Sequence, residues 1–159
     1  MFVFARAVIY ATLFIGLLLV FVPGRILEAS GIVRPAPLGP AAYAGIFVGA
    51  VGGALALWCI VTFASVGRGT PAPFDPPRKL VVQGPYGYVR NPMYIGAAFA
   101  LCGAAIYYRS IPLLGYVGAF LVASHIFVVW HEEPTLGRLF GDEYRTYRAR
   151  VRRWLPRWS

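Results

Sequence analysis

The sequence predicts an all-α integral membrane protein of about four transmembrane helices, with a cytoplasmic Gly/Pro-rich loop and a C-terminal interfacial helix. Three observations lead there. Of the 159 residues, 58% are hydrophobic and only 13% are charged, and the mean hydropathy is +0.64. A compact water-soluble domain could not cover its surface with so few polar groups. Charge-poor apolar runs also recur along the chain at a length suited to a bilayer. Finally, the net charge of +9 is unevenly placed, with seven of fifteen Lys and Arg residues in the last 22 positions. Such a basic tail beside so apolar a body suits a membrane surface better than nucleic acid.

A spanning helix needs roughly 20 mostly apolar residues at a rise of about 1.5 Å each. Segment one, Ala7 to Val22, lies between Arg6 and Pro23 and needs the aromatic residues before it to complete a span. Its flanks lack the charged start and small-residue cleavage pattern of a signal peptide, so it reads as a retained helix. Segment two has Ala41 to Val66 as its core, and glycines at 45, 49 and 53 leave one face bare for another helix to approach. Segment three runs from Pro92, well placed at a helix start, to Tyr108. Segment four runs from about Ser110 to His131, which leaves room only for a tight hairpin between the two.

Orientation follows from the basic residues, because cytoplasmic segments carry the excess. With both termini inside, twelve Lys and Arg face the cytoplasm, and Arg25, Arg34 and Arg109 face the other side. Four spans preserve that asymmetry, and an odd number destroys it. The whole chain reads as one domain: two N-terminal spans over 1–66, a cytoplasmic loop over 67–91, a hairpin over 92–131 and a C-terminal segment over 132–159. In the last of these, Arg138 to Trp154 places Leu139, Tyr144, Tyr147, Val151 and Trp154 near one face with arginines elsewhere, the pattern of a helix lying in the interface.

Little of the chemical inventory stands out by residue type. Cys59 and Cys102 lie in apolar runs without Cys-x-x-Cys spacing, so they read as small buried hydrophobes. His125 and His131 are six apart and face different ways on a helix, and no metal site is expected. Glu132 and Glu133 are more informative: two carboxylates at the end of a spanning segment are costly without partners, and they oppose the helix dipole. The loop from Gly84 to Gly96 (Gly-Pro-Tyr-Gly-Tyr-Val-Arg-Asn-Pro-Met-Tyr-Ile-Gly) is dense in Gly and Pro. An aromatic belt with a snorkelling Arg90 explains its tyrosines, but the Gly and Pro suggest a backbone shaped around a ligand.

With these blocks in view, the chain resembles the isoprenylcysteine carboxyl methyltransferase and phospholipid methyltransferase family of S-adenosylmethionine-dependent membrane enzymes. The resemblance rests on Lys79-Leu80-Val81 through Gly96, on Glu132-Glu133, and on Leu139-Phe140-Gly141-Asp142-Glu143-Tyr144 followed by Tyr147, Val151 and Leu155-Pro156. It implies that Arg78, Lys79, Leu80, Val81, Tyr86, Asn91, Pro92, Met93, Tyr94 and Glu132 bind S-adenosylmethionine, with S-adenosylhomocysteine as product. Glu132 would pair with the cofactor's ammonium, Arg90 would help with its carboxylate, and tyrosine faces suit the sulfonium. Arg90 and Glu133 are the candidate catalytic residues.

Two departures are visible. Asn91 stands where the family usually has His, and Val128 where the isoprenylcysteine branch has a substrate-binding Arg. The expected function is therefore methyl transfer to a lipid-like or other membrane-soluble acceptor, apolar or amphipathic, which enters between helices with Gly96 and Gly103 providing room. In-line methyl transfer needs proximity and alignment, with no metal. An NADPH-dependent membrane reductase of sterol or steroid type and a non-catalytic membrane adaptor are the alternatives.

Overall fold

The computed structural model describes residues 16–32, 37–67 and 79–156. Most of segment one, Arg34, the first part of the Gly/Pro loop (68–78, with Arg78), and the last three residues lie outside them. Among the described residues the secondary structure is helical, with a single isolated bridge and no strand. A wide π turn, Gly16–Phe21, leads into α1, Val22–Ala29. Helix α2, Pro40–Thr62, ends in a second π turn, Phe63–Gly67. A 3₁₀ turn, Gly84–Gly87, precedes α3, Pro92–Tyr107. Helix α4, Ile111–Phe127, continues through a π turn, Val128–Glu132, into α5, Glu133–Arg150.

Prolines mark the helix starts, as their fixed φ and missing N–H dictate: Pro40 opens α2, Pro92 opens α3, and a Pro also lies in the first turn of α4 and of α5. Between α3 and α4 the hairpin is as tight as the sequence requires. Arg109 takes a left-handed φ of 50°, and the Ser110 side chain accepts from the Leu113 N–H as the cap of α4. Two helical stretches are long and apolar enough to cross a bilayer, Pro40–Gly67 and the one that begins at Ile111, while Pro92–Tyr107 is apolar but shorter. The apolar part of the second ends at His131, so Glu132 and Glu133 stand beyond it.

Backbone contact between α2 and α3 is the closest packing in the fold. A Cβ added at Gly52 would lie 2.4 Å from the Ala100 nitrogen, and one at Gly103 would lie 2.4 Å from the Gly49 nitrogen. Gly45, Gly49 and Gly52 form the face of α2 that meets Gly96 and Gly103 of α3, whereas Gly53 faces open space. With no water to expel between them in lipid, two helices gain mainly from close van der Waals contact, and small residues allow it. This corrects one expectation: Gly96 and Gly103 leave no room for an acceptor, because α2 occupies that space.

The C-terminal segment differs from its expectation in extent. The helix runs from Glu133 instead of Arg138, bends at Gly141 (φ 48°, ψ −117°), and stops at Arg150. Val151 is extended, at φ −113° and ψ 126°, and residues 151–156 form a non-helical strap. That strap returns to the body through a parallel bridge between Val89 and Arg152, and the Arg90 N–H donates to the Arg152 carbonyl at 2.9 Å.

Candidate functional site

The described site residues converge where the 3₁₀ turn, the start of α3, the end of the α4 π turn and the strap meet. Gly84 enters the turn with φ +58°, a conformation that only glycine adopts without strain, and this places the next residues against α2. Tyr86 is buried there with Cys59 and Val81, and its ring meets Phe63 at 5.9 Å. The Tyr147 hydroxyl donates to the Tyr86 carbonyl at 2.7 Å, which ties α5 to the turn. Leu80 packs with Tyr144 and Tyr147 on the same side. Burial pushes the Tyr86 and Tyr147 hydroxyls well above the ordinary phenol range, so both remain neutral donors.

Asn91 precedes α3 and is buried, and its side-chain amide donates to the Arg153 carbonyl at 3.3 Å. Pro92 is buried at the helix start, and Met93 packs on the cluster around Tyr86. The Tyr94 hydroxyl donates to Glu132 Oε2 at 3.3 Å. Lys79 is exposed. Of the twelve residues singled out in the sequence, Arg78 lies outside the described residues, and Lys79 alone of the rest points into solvent.

The two glutamates diverge. A helical step of about 100° separates neighbouring side chains. Glu132 accordingly faces Tyr94 on α3, and Glu133 faces the strap. Glu133 accepts from Arg153 Nε at 2.7 Å and Nη2 at 3.0 Å, and Arg90 Nη2 lies 3.1 Å from its Oε1. Both Glu133 and Arg90 side chains are about nine-tenths buried, at 9% and 10% exposed. Arg90 also donates from Nη1 to the Tyr144 hydroxyl at 3.3 Å, yet its buried Nε has no partner.

The carboxyls titrate differently for the same reason. Burial raises Glu132 to about 7, against the pull of the Tyr94 hydrogen bond and with a further push from Glu133. Burial also acts on Glu133, but the Arg153 hydrogen bonds and the Arg90 charge outweigh it and hold that carboxyl below its ordinary range. Glu133 is a paired anion. Glu132 is a half-buried acid with one hydroxyl donor, Tyr94, among the described residues, able to accept a cation.

Three residues that sequence reasoning did not assign to the site belong to its wall. Arg153 was counted only as part of a basic tail, Trp154 only as part of an apolar helical face, and His125 only as an unsuitable metal ligand. The Trp154 indole N–H donates to His125 Nδ1 at 3.0 Å, and its ring meets Tyr94 edge-on at 6.3 Å. No local signal in the sequence separates Trp154 from the apolar helical period that precedes it.

A family model described as phospholipid methyltransferase matches residues 41–143. Comparison with curated proteins and with solved structures gives no match. The matched region covers nearly two thirds of the chain and takes in α2, the 3₁₀ turn, the α3–α4 hairpin and both glutamates. On that extent, the chain belongs to the phospholipid methyltransferase family.

Proposed function

We propose that the protein transfers a methyl group from S-adenosylmethionine to a lipid-like acceptor dissolved in the membrane, as a four-span protein with both termini in the cytoplasm. Membership of a methyltransferase family supports the reaction class. The observations that carry the cofactor reading are Glu132, held by Tyr94 and with no cationic partner among the described residues, and the buried Nε of Arg90, which has no partner among them. A carboxylate at the end of the α4 π turn and an orphaned guanidinium donor just before α3 are complementary to an ammonium and a carboxylate, the two ends of an amino-acid ligand.

In this reading Glu132 holds the cofactor's ammonium and Arg90 Nε takes its carboxylate. Tyr86, Asn91, Pro92, Met93 and Tyr94 shape the recess, with Lys79, Leu80 and Val81 at its cytoplasmic edge; Arg78, outside the described residues, is assigned to the cofactor by the family resemblance alone. When bound, S-adenosylmethionine supplies an electrophilic methyl group. The chain's contribution is to orient that ligand, to hold an acceptor in line with it, and to keep water out. Glu133 and Arg90, proposed as the catalytic pair, act by fixing one another and the strap, so that the recess has one shape. Neutral tyrosine hydroxyls and aromatic faces suit a nearby cationic sulfur.

The acceptor reaches this recess from the bilayer. An NADPH-dependent reductase or a lipid-binding adaptor predicts a different ligand response. Thermal stabilisation of the purified protein by S-adenosylhomocysteine, and none by NADPH, is the expected result. Stabilisation by NADPH alone would overturn the proposal.

A further inference from the structure

Trp154 of the strap and His125 of α4 form a pair to which the site described above gives a place in its wall and no task. Residues 152 and 153 are fixed by the Val89 bridge, by the Arg90 N–H, by the Asn91 amide and by Glu133. Trp154 follows on that fixed backbone and reaches sideways. Its ring meets Tyr94 of α3 on one side and His125 of α4, at 6.1 Å, on the other. His125 is exposed, and an exposed position on a spanning helix faces lipid. Tyr94 in turn touches Glu132. The indole therefore stands between the lipid-facing side of α4 and the recess that holds Glu132.

A histidine at such a position is costly unless it is satisfied or used. Its hydrogen bond to Trp154 lies at the exposed edge, whereas the anchors of Arg152 and Arg153 lie deeper. A neutral hydrogen bond has a small net strength when another donor takes its place, as a lipid head group can at His125. The backbone is thus pinned, while the side chain next to it is held by that exchangeable bond and by ring contacts with Tyr94 and His125.

We propose that Trp154 and His125 form the acceptor gate of the site. The indole closes the gap between α3 and α4, and an amphipathic lipid, with its chain in the bilayer and its nucleophilic head directed inward, displaces the indole from His125 to reach the recess. Both are positioning residues and take no part in bond making. The gate rests on the methyltransferase reading, and its tests separate the two.

The first test places the full chain in phosphatidylcholine nanodiscs with Trp58, Trp130 and Trp158 changed to Phe, so that Trp154 alone emits. Bromine on the acyl chains should quench it, and His125→Leu, which removes the acceptor, should increase the quenching. Emission insensitive to brominated lipid with and without His125→Leu overturns the gate. The second test follows methyl label from S-adenosylmethionine into vesicles of total lipid extract. Trp154→Phe keeps a ring against Tyr94 but loses the N–H. It and His125→Leu should each lower the acceptor KM about fivefold, the equivalent of one ordinary hydrogen bond. The double variant should lower it no further. S-adenosylhomocysteine affinity should stay within twofold throughout. An interfacial anchor would instead leave the acceptor KM unchanged, and additive effects would mean two unrelated contacts; either overturns the proposal. If the wild type binds S-adenosylhomocysteine yet labels no lipid, the gate falls and the cofactor reading stands. If it binds none, both fall.

Discussion

Arg153 reaches back twenty residues to close both oxygens of Glu133 in a two-point ion pair, 2.7 Å and 3.0 Å long, while Glu132 beside it is left to Tyr94. One glutamate is used to build the site, and its neighbour is left available. Most of the predictions below depend on that division.

Breaking the Glu133 pair should cost stability before it costs chemistry. Removing one partner of a buried ion pair leaves the other charge uncompensated, at about 3 kcal/mol or more. Arg153→Ala leaves Glu133 with Arg90 still beside it, so it should be the milder change. Glu133→Gln leaves two guanidinium groups facing each other and should lower the melting temperature further. Thermal denaturation in detergent ranks the two, and a ranking in the opposite order would contradict this account.

Asn91→His should be tolerated. The Asn91 amide gives one hydrogen bond, to the Arg153 carbonyl, and an imidazole N–H from nearly the same place can give it too. S-adenosylhomocysteine affinity should change by less than tenfold, about 1.4 kcal/mol. A larger loss measured by calorimetry would show that the space around Asn91 admits only an amide.

At Gly52 a single methyl group should separate the two helices. The added Cβ would meet backbone atoms of Gly96 and Ala100 at 2.6 Å and 2.4 Å, and neither can move without shifting α3. Gly52→Ala should therefore lower stability by about 1–3 kcal/mol, the usual cost of overpacking. Gly53→Ala, with nothing within 4 Å, serves as the control and should be neutral. Equal denaturation midpoints for the two variants would refute the close α2–α3 contact.

The pH dependence of ligand binding should follow Glu132. Its folded-state value of about 7 lies above the unfolded value, so its contribution to stability is present at low pH and lost as pH rises through about 7. Ligand binding runs the other way. An ammonium needs the ionised carboxylate, so S-adenosylhomocysteine affinity should fall as pH drops below 7, by up to about tenfold per unit. Glu133, held below its ordinary range, stays ionised across that interval and contributes no slope. Isothermal titration between pH 5.5 and 8 would test it, and a flat profile would place Glu132 outside the binding site.

The features the sequence made legible were those with a local cause. Prolines at 40 and 92 and the Arg109-Ser110 break set helix boundaries by their own geometry, and the structure places α2, α3 and α4 accordingly. The small-residue face of α2 was legible in part: Gly45 and Gly49 lie on it, but Gly52 completes it in place of Gly53, and its partner was not legible. Period alone cannot say which helix fills a bare face, so Gly96 and Gly103 were read as open space when they are in contact. The strap was the largest departure. An apolar spacing through Val151 and Trp154 continues a helical period, and nothing local announces that Arg153 leaves it to meet Glu133. Contacts between residues 20 to 62 positions apart, such as Glu133 with Arg153 or Asn91 with Arg153, depend on how the whole chain folds back.

Glu132→Gln is the most direct test of the central claim. The change keeps shape and helix propensity and removes the charge. A charge-assisted hydrogen bond to an ammonium in a partly dehydrated recess contributes about 1.5–3 kcal/mol. Calorimetric titration with S-adenosylhomocysteine, which retains the ammonium but lacks the sulfonium, should show affinity about ten- to a hundredfold weaker than wild type with the helical content unchanged. Equal affinities for the wild type and Glu132→Gln would contradict the account and leave Glu132 as an acid buried at the end of a helix.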